Sequence, residues 1–206
     1  MIPVKVLALR YLNNVSSALA KELDGPSLGL LTTDCDDATY IALDAATKAA
    51  DVRVSYGRSF YAGAANASTP NAGEVIGVLA GSTPGAVRSG MEAALNALER
   101  VGFEEVCGVP YLAHTVASVG SFLAQEAGVP MGSAIAYLIA PPLEAMYAMD
   151  AALKAADVML CKLYAPPSET NFGGGLLSGT QSACQAACAA FAAAVADVAA
   201  NPIKKE

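Results

Sequence analysis

DAATKAADV occupies residues 44–52, and DAALKAADV, which differs from it at one position, occupies residues 150–158. The two phrases start 106 residues apart (150 − 44 = 106). A nine-residue phrase that recurs with a single change indicates an internal duplication. The chain is therefore expected to contain two copies of one domain.

The sequence after each phrase follows one plan. A strand is predicted first, VRVSYG or VMLCKLY, then a second strand, GEVIGVLAG or GGGLLSG, and then an Ala-rich helix. The glycines that end the second strands, Gly81 and Gly179, are 98 residues apart (179 − 81 = 98). The first copy therefore has eight more residues between its strands (106 − 98 = 8), around AGAANASTPNAG at residues 62–73.

Upstream of each phrase, the sequence predicts a strand, a short helix and another strand. Pro26, Pro130 and Pro141 lie at these transitions, as proline commonly does at element boundaries. Strands and helices in this order indicate an α+β fold in which helices pack on a sheet. The two domains are predicted at residues 1–104 and 105–206.

The composition limits the class of protein and its partners. Hydrophobic residues make up 54% of the 206 residues and charged residues only 15%, so the chain is expected to bury surface against neighbours. The net charge of −7 argues against nucleic acid or an anionic membrane as a partner. Cationic ligands fit this charge better.

Two apolar segments of the sequence bear on targeting and on membrane insertion. The N-terminus has an apolar core too short for a signal peptide. The Ala-rich stretch AACAAFAAAVA, residues 186–196, is expected to fall short of a membrane span. The five cysteines show no CxxC spacing and predict reduced thiols in a cytosol.

Three acidic residues, Asp34, Asp36 and Asp37, lie where a strand is predicted to end and a helix to begin. Acids at this position favour the helix dipole, so capping is the simplest interpretation. The second copy has Pro142 and Leu143 at the positions 106 residues after the Asp pair. The same helix is therefore expected to form without these two acids, which are not obligatory for folding.

Other candidate residues carry weaker signals. Cys184 and Cys188 lie one helical turn apart and could bind a metal or react with an oxidant, but small packing residues are the simpler interpretation. The sole histidine, His114, lies in HTVAS without an evident nucleophile nearby in the sequence, so no catalytic site is predicted.

The segments YIALDAATKAADVRVSYG and GEVIGVLAGSTPGAVRSGMEAALNALERVG resemble the bacterial microcompartment shell domain, and the match recurs in each half. The elements placed before the repeated phrase resemble the tandem, circularly permuted form of that domain. YGRSFYAGAA, AYLIAPPLEA and PPSETN are similar to shell proteins of ethanolamine utilisation. The resemblance implies a structural shell protein, not an enzyme, in a microcompartment shell within the cytoplasm.

The resemblance also implies an assembly. Two domains per chain imply a flat homotrimer whose six domains imitate the hexagonal tile of single-domain relatives. Such tiles make lateral contacts with other microcompartment shell proteins. The family pattern implies no cofactor.

The resemblance assigns a small acidic pore, one in each subunit, that admits ethanolamine. Asp36 and Asp37 match its acidic residues, Glu74 is a third acid and Phe103 an apolar wall. Ethanolamine is a cation at neutral pH, so carboxylates would attract its ammonium group and an aromatic face could add cation–π attraction. Glu74 as a solvated loop acid and Phe103 as ordinary core remain alternatives.

The resemblance assigns the gate of a central pore to two loops. YGRSFYAGAANASTPNAG, residues 56–73, contributes Phe60 and Tyr61. PPSETNFGGG, residues 166–175, contributes Asn171 and Phe172. A passive surface connection is the alternative for these loops.

Two other functions remain open at this point. Asp34, Asp36 and Asp37 could hold Mg²⁺ in a metal-dependent enzyme. The chain could also be a small-molecule sensor that binds ethanolamine or cobalamin.

Overall fold

The structure is a computed structural model, and it describes residues 1–60, 73–166 and 171–203. The chain forms two compact units. The first unit consists of Pro3–Gly102 together with Gly120–Leu123, and the second consists of Met1–Ile2, Phe103–Val119 and the chain from Ala124 onward. The predicted domain boundary between residues 104 and 105 stays a prediction, because the two units interleave in sequence.

The first unit is built on a four-stranded antiparallel sheet in the order β1-β2-β4-β3. Its elements are β1 (Val6–Asn13), α1 (Ser17–Glu22), β2 (Ser27–Thr33), α2 (Asp36–Ala49), β3 (Val52–Ser59), β4 (Val75–Gly81) and α3 (Pro84–Leu98). The long helices α2 and α3 pack against each other and against the central strands.

The second unit repeats this plan with one additional short strand, in the order β5-β6-β7-β9-β8. Its elements are β5 (Glu104–Val106), β6 (Val109–Val116), α4 (Ser121–Ala127), β7 (Ala134–Ala140), α5 (Pro142–Ala155), β8 (Val158–Tyr164), β9 (Gly173–Gly179) and α6 (Gln181–Ala200). The first three residues of α4 belong to the first unit. Helices α5 and α6 pack on the sheet, so the predicted α+β duplication is confirmed.

The match between the copies extends to an irregularity in strand pairing. The register of β3 against β4 shifts between Val54 and Tyr56, and the register of β8 against β9 shifts between Leu160 and Lys162. These positions differ by 106 residues (160 − 54 = 106), the offset of the repeated phrase. The same irregularity in pairing, of the kind that a β-bulge produces, therefore occurs at equivalent positions of both edge strands.

Sequence signals explain where the last helix of each unit begins. Thr83 precedes α3, and its hydroxyl accepts a hydrogen bond from the amide of Ala86 at 3.2 Å. Thr180 precedes α6 and accepts from the amide of Ala183 at 3.2 Å. Each cap satisfies one of the amide groups that a helix start leaves without an intrahelical partner.

Helix α6 is longer than the apolar stretch that the sequence indicates. Within the described residues it is the one helix that passes a length and composition test for a membrane span. The expectation that the stretch falls short of a span is therefore wrong by this test, because the helix extends beyond residues 186–196 at both ends. Its Cys184, Phe191 and Val195 are buried in the core of the second unit. A helix of a protein core can have the same length and apolar composition as a membrane span.

Candidate functional site

The predicted acidic cluster lies at the junction of β2 and α2, in the first unit. Cys35 is the residue before the helix, and Asp36 and Asp37 lie in its first turn. Both aspartates are buried, whereas Asp34 is exposed. The prediction that a strand ends and a helix begins at these acids is confirmed.

The second copy shows that this helix start does not need the aspartate pair. Helix α5 begins at Pro142, the equivalent of Asp36, and Leu143 replaces Asp37. The first turn of α5 carries one acid, Glu144. Because both helices form, the buried pair in α2 is a feature specific to the first copy.

Strand β3 brings a further polar group to Asp36. The hydroxyl of Ser59, the last residue of β3, donates to Oδ2 of Asp36. Oδ1 of Asp36 accepts from the amide of Asp37 at 2.9 Å. Two donors therefore fix the orientation of this carboxylate.

Glu74 is attached to the same junction through its backbone. Its amide donates to the carbonyl of Thr33 at 2.8 Å, and its carbonyl accepts from the amide of Phe60 at 2.8 Å. Gly73 makes this approach possible, because a Cβ there would lie 2.2 Å from the Thr33 carbonyl oxygen. A side chain at residue 73 would thus displace Glu74 from the end of β2.

The acids create a negative local field. Burial raises the pKa of the half-buried Glu74, and the charges of Asp36 and Asp34 raise it further. Burial also raises the pKa of the Cys35 thiol, with added contributions from Asp37, Asp36 and Glu74. Burial is the largest cause for both groups, and the further shifts have the direction expected when negative charges lie close together.

Phe103, the predicted apolar wall, belongs to the second unit. It is half-buried, and its ring lies 5.6 Å from that of Phe172, edge to face. The structure therefore pairs a residue predicted for the small pore with one predicted for the central gate. Aromatic pairs in this geometry stabilise local packing.

The structure describes three of the four predicted gate residues, Phe60, Asn171 and Phe172. Phe60 is exposed and follows β3, and Asn171 is exposed with a left-handed backbone at φ 64°. Tyr61 lies outside the described residues, as do the loop residues 61–72 and 167–170. Gly173–Gly175, included in the second predicted loop, belong to β9.

The surroundings of the two cysteines in α6 are those of packing residues. Cys184 and Cys188 are buried in the hydrophobic core of the second unit, and burial raises the pKa of both thiols. The sulfur of Cys188 lies 3.3 Å from the hydroxyl oxygen of Thr115. Across residues 1–60, 73–166 and 171–203, no group of three or more His, Cys, Asp or Glu side chains could hold a metal ion.

Two structural details could not be predicted from the sequence. The contact between Ser59 and Asp36 joins residues 23 positions apart, and no motif marks it. The different environments of Asp44 and Asp150, the first letters of the repeated phrase, were also missed. The identity of both residues gave no signal that one is buried and the other exposed.

Comparisons with known proteins assign this fold to one class. The BMC domain model matches residues 27–110 and leaves β1 and α1 before the matched range. A chain with two copies of this domain is a tandem shell protein of a bacterial microcompartment.

Full-length relatives identify the family. The bacterial microcompartment shell protein EutL of Clostridium perfringens is 57% identical over 98% of this chain and 97% of its own length. EutL of Salmonella typhimurium is 47% identical over 100% of this chain and 97% of its own length. The crystal structure of ethanolamine utilization protein EutL from Leptotrichia buccalis has a TM-score of 0.94 at 56% identity, covering 99% of this chain and 98% of that one.

The chain therefore belongs to the EutL family of bacterial microcompartment shell proteins. Its role is structural and not enzymatic, and its location is the microcompartment shell in the cytoplasm. These conclusions confirm the resemblance read from the repeated phrase.

Proposed function

We propose that this chain forms homotrimeric tiles in the shell of an ethanolamine-utilisation microcompartment, and that each subunit passes ethanolamine along its acidic cluster. The names of the relatives support the pathway. Two copies of the domain per chain support a trimer, because three chains then supply the six domains of a hexagonal tile. Lateral contacts with other shell proteins would extend such tiles into a sheet.

The observation that carries the proposed passage is the negative field at the start of α2. Burial is the largest cause that raises the pKa of Glu74 and of Cys35. Neighbouring carboxylates, with Asp36 among them in both cases, raise each pKa further. A field that disfavours more negative charge favours a small cation by the same Coulomb energy. Ethanolamine supplies an ammonium group for the carboxylates and a hydroxyl for a further hydrogen bond.

The cluster combines orientation with accessibility in a way that suits transit. Asp36 is buried and held by Ser59, whereas Glu74 is half-buried and Asp34 exposed. A cation would meet carboxylates of increasing burial. Passage needs weak binding at each of them, because a tight site would block the path. Phe103 as an apolar wall of this path stays a prediction.

The central pore is a separate part of the proposal. Its gate would use Phe60 and Tyr61 from one loop and Asn171 and Phe172 from the other. The exposure of Phe60 and Asn171 supports this role, since a gate needs side chains that reach solvent. Closed shells assembled with trimers that carry Phe60→Ala and Asn171→Ala should admit larger solutes, measured as the uptake of a labelled solute. Unchanged uptake would contradict the gate.

Calorimetry with ethanolamine tests the small pore. Asp36→Asn combined with Asp37→Asn should weaken binding about 10- to 100-fold, because two charge-assisted contacts become neutral. Glu144→Gln, which removes the acid from the first turn of α5, is the matched control and should bind as the unmodified protein does. Native mass spectrometry on the same samples should show intact trimers.

The alternatives are tested by the same samples. Unchanged ethanolamine affinity in the double variant would refute the acidic path, and a stable monomer at high concentration would refute the tile. Titration with cobalamin tests the sensor function. Saturable cobalamin binding by the trimer would support that function and would contradict the expectation that the protein has no cofactor.

A further inference from the structure

The starts of α1 and α4 are copies of one sequence. VSSALAKE occupies residues 15–22 and VGSFLAQE occupies residues 119–126, an offset of 104 (119 − 15 = 104). Five of the eight letters are the same. Any contact made by the first residues of α4 can therefore be compared, position by position, with the surroundings of α1.

The start of α4 packs against α2 inside the first unit. Asp44 of α2, whose side chain is fully buried, accepts from the amide of Gly120 at 2.7 Å and from the amide of Leu123 at 2.9 Å. Thr47 accepts from the amide of Ser121 at 3.1 Å. The side chain of Leu123 is also fully buried. The contact therefore combines hydrogen bonds to backbone amides with the burial of one apolar side chain.

The corresponding groups elsewhere in the chain are uncovered. Asp150, the equivalent of Asp44, has a side chain 63% exposed, and Leu19, the equivalent of Leu123, is 41% exposed. Helix α1 has no buried residue at all. The same two surfaces that meet in the first unit thus recur, and across the described part of the chain neither surface of the second pair is covered.

The apolar residues around these surfaces change in a compensating way. Phe122 packs 3.5 Å from the Cβ position of Gly57 and 5.9 Å, between ring centroids, from Tyr40. The equivalent of Phe122 is Ala18 (122 − 104 = 18), and the equivalent of Gly57 is Leu163 (57 + 106 = 163). The first set thus pairs the large Phe122 with the small Gly57. The second set pairs the small Ala18 with the large Leu163.

Met146 is the equivalent of Tyr40 (40 + 106 = 146). It joins Ala18 and Leu163 as the third residue of the second set. Leu163 and Met146 are both exposed large apolar side chains. Paired changes that keep the combined volume are expected where two positions pack together, since cores tolerate volume-conserving exchange best. Unrelated surface positions have no reason to change together.

We infer that α1 of one copy docks on α5 and β8 of a second copy, as the start of α4 docks on α2. Asp150 accepts from the amides of Ser16 and Leu19 of that copy, Leu19 becomes buried, and Ala18 packs against Leu163. The surfaces on the two copies are different, so the contact is head-to-tail and can close into a ring. One polar contact is lost, because Leu153 replaces Thr47.

This inference rests on the proposed homotrimer and assigns the surfaces that join its subunits. The test exchanges the packing pair. Ala18→Phe places a ring against Leu163 and should weaken assembly at least about tenfold, measured as the dissociation constant by sedimentation or mass photometry. Ala18 is exposed within the subunit, so this variant should keep the unmodified melting profile when dissociated.

Combining Ala18→Phe with Leu163→Gly rebuilds the pair found at Phe122 and Gly57. The double variant should assemble more tightly than either single variant. If Leu163→Gly unfolds the edge strand β8, Leu163→Ala takes its place in the single and double variants. Asp150→Ala provides an independent measurement and should weaken assembly without changing the secondary structure seen by circular dichroism.

The outcomes separate this inference from the proposed trimer. If the unmodified protein is a trimer but Ala18→Phe and Asp150→Ala assemble equally well, the trimer stands and this interface is wrong. A double variant no better than Ala18→Phe alone also overturns the pairing. If the unmodified protein is a monomer at high concentration, the proposed trimer itself fails, and the interface fails with it.

Discussion

The first residues of α4 and of α1 share a sequence but have different surroundings. At the start of α4, Leu123 is buried and its amide is bonded to Asp44. At the start of α1, Leu19 is exposed and no residue of the helix is buried. The comparison teaches that the duplication preserved a docking contact as well as a fold. The contact at the start of α4 forms within the chain. The equivalent contact at the start of α1 requires a second molecule.

The largest effect is expected at the two aspartates that begin the repeated phrase. Asp44→Ala should lower the free energy of unfolding by about 2–4 kcal/mol, because it leaves the buried amides of Gly120 and Leu123 without an acceptor. Asp150→Ala removes an exposed ion pair with Lys154 and should cost less than about 0.5 kcal/mol in the dissociated subunit.

Chemical denaturation over a series of protein concentrations separates subunit stability from assembly. Asp44→Asn serves as the control for shape, since it keeps one acceptor oxygen and should lose less stability than Asp44→Ala. Equal losses for Asp44→Ala and Asp150→Ala in the dissociated subunit would show that the two surroundings do not differ in solution.

A smaller effect is expected at the residues that precede the two helices. A Cβ at Gly120 would lie 2.2 Å from Oγ1 of Thr47 and 2.7 Å from the carbonyl oxygen of Asp44. Gly120→Ala should therefore cost about 1–3 kcal/mol through overpacking. Its equivalent, Ser16, is exposed and makes no side-chain cap bond, so Ser16→Ala should change subunit stability by less than about 0.5 kcal/mol.

Thermal melts of both variants at low protein concentration measure this contrast. Thr47→Ala combined with Gly120→Ala is a further check, because it removes the hydroxyl oxygen but leaves the contact of the Cβ with the Asp44 backbone, so little stability should return. A Gly120→Ala variant as stable as Ser16→Ala would mean that this close approach relaxes at no cost.

The sequence predicted the fold because the duplication repeats its signals. DAATKAADV and DAALKAADV marked α2 and α5, and the two strands predicted after each phrase are β3 and β4 in the first unit and β8 and β9 in the second. The acids at the start of α2 were also located correctly. Local patterns of this kind depend on residues close together in the chain, which is the information that a single sequence carries.

The sequence could not predict which equivalent residues are buried. Asp44 and Asp150 occupy the same place in the repeated phrase, and each has a lysine four residues later. Their difference comes from a segment more than 70 positions away in the chain, Gly120–Leu123, which covers only Asp44. The bond from Ser59 to Asp36 is likewise set by where two strands end, not by either residue's neighbours.

The smallest effect is a dependence of stability on pH at Glu74, an acid confined to the first copy. Burial, followed by the charges of Asp36 and Asp34, raises its pKa in the folded chain above the ordinary value of 4.5. The folded state therefore binds the Glu74 proton more tightly than the unfolded state does. This contribution to stability is fully present below pH 4.5 and is lost as the pH rises through the folded pKa.

Glu74→Gln keeps the shape of the side chain and removes the ionised form. Relative to the unmodified protein, the variant should gain stability as the pH rises above 4.5 and reach a plateau above the folded pKa. Denaturant titrations between acid and neutral pH measure the difference, with Glu92→Gln on the exposed side of α3 as the control for losing a carboxylate. A gain at Glu74 that falls as the pH rises would show that its neighbours stabilise the charge. The acidic cluster would then not be a site of negative field at Glu74.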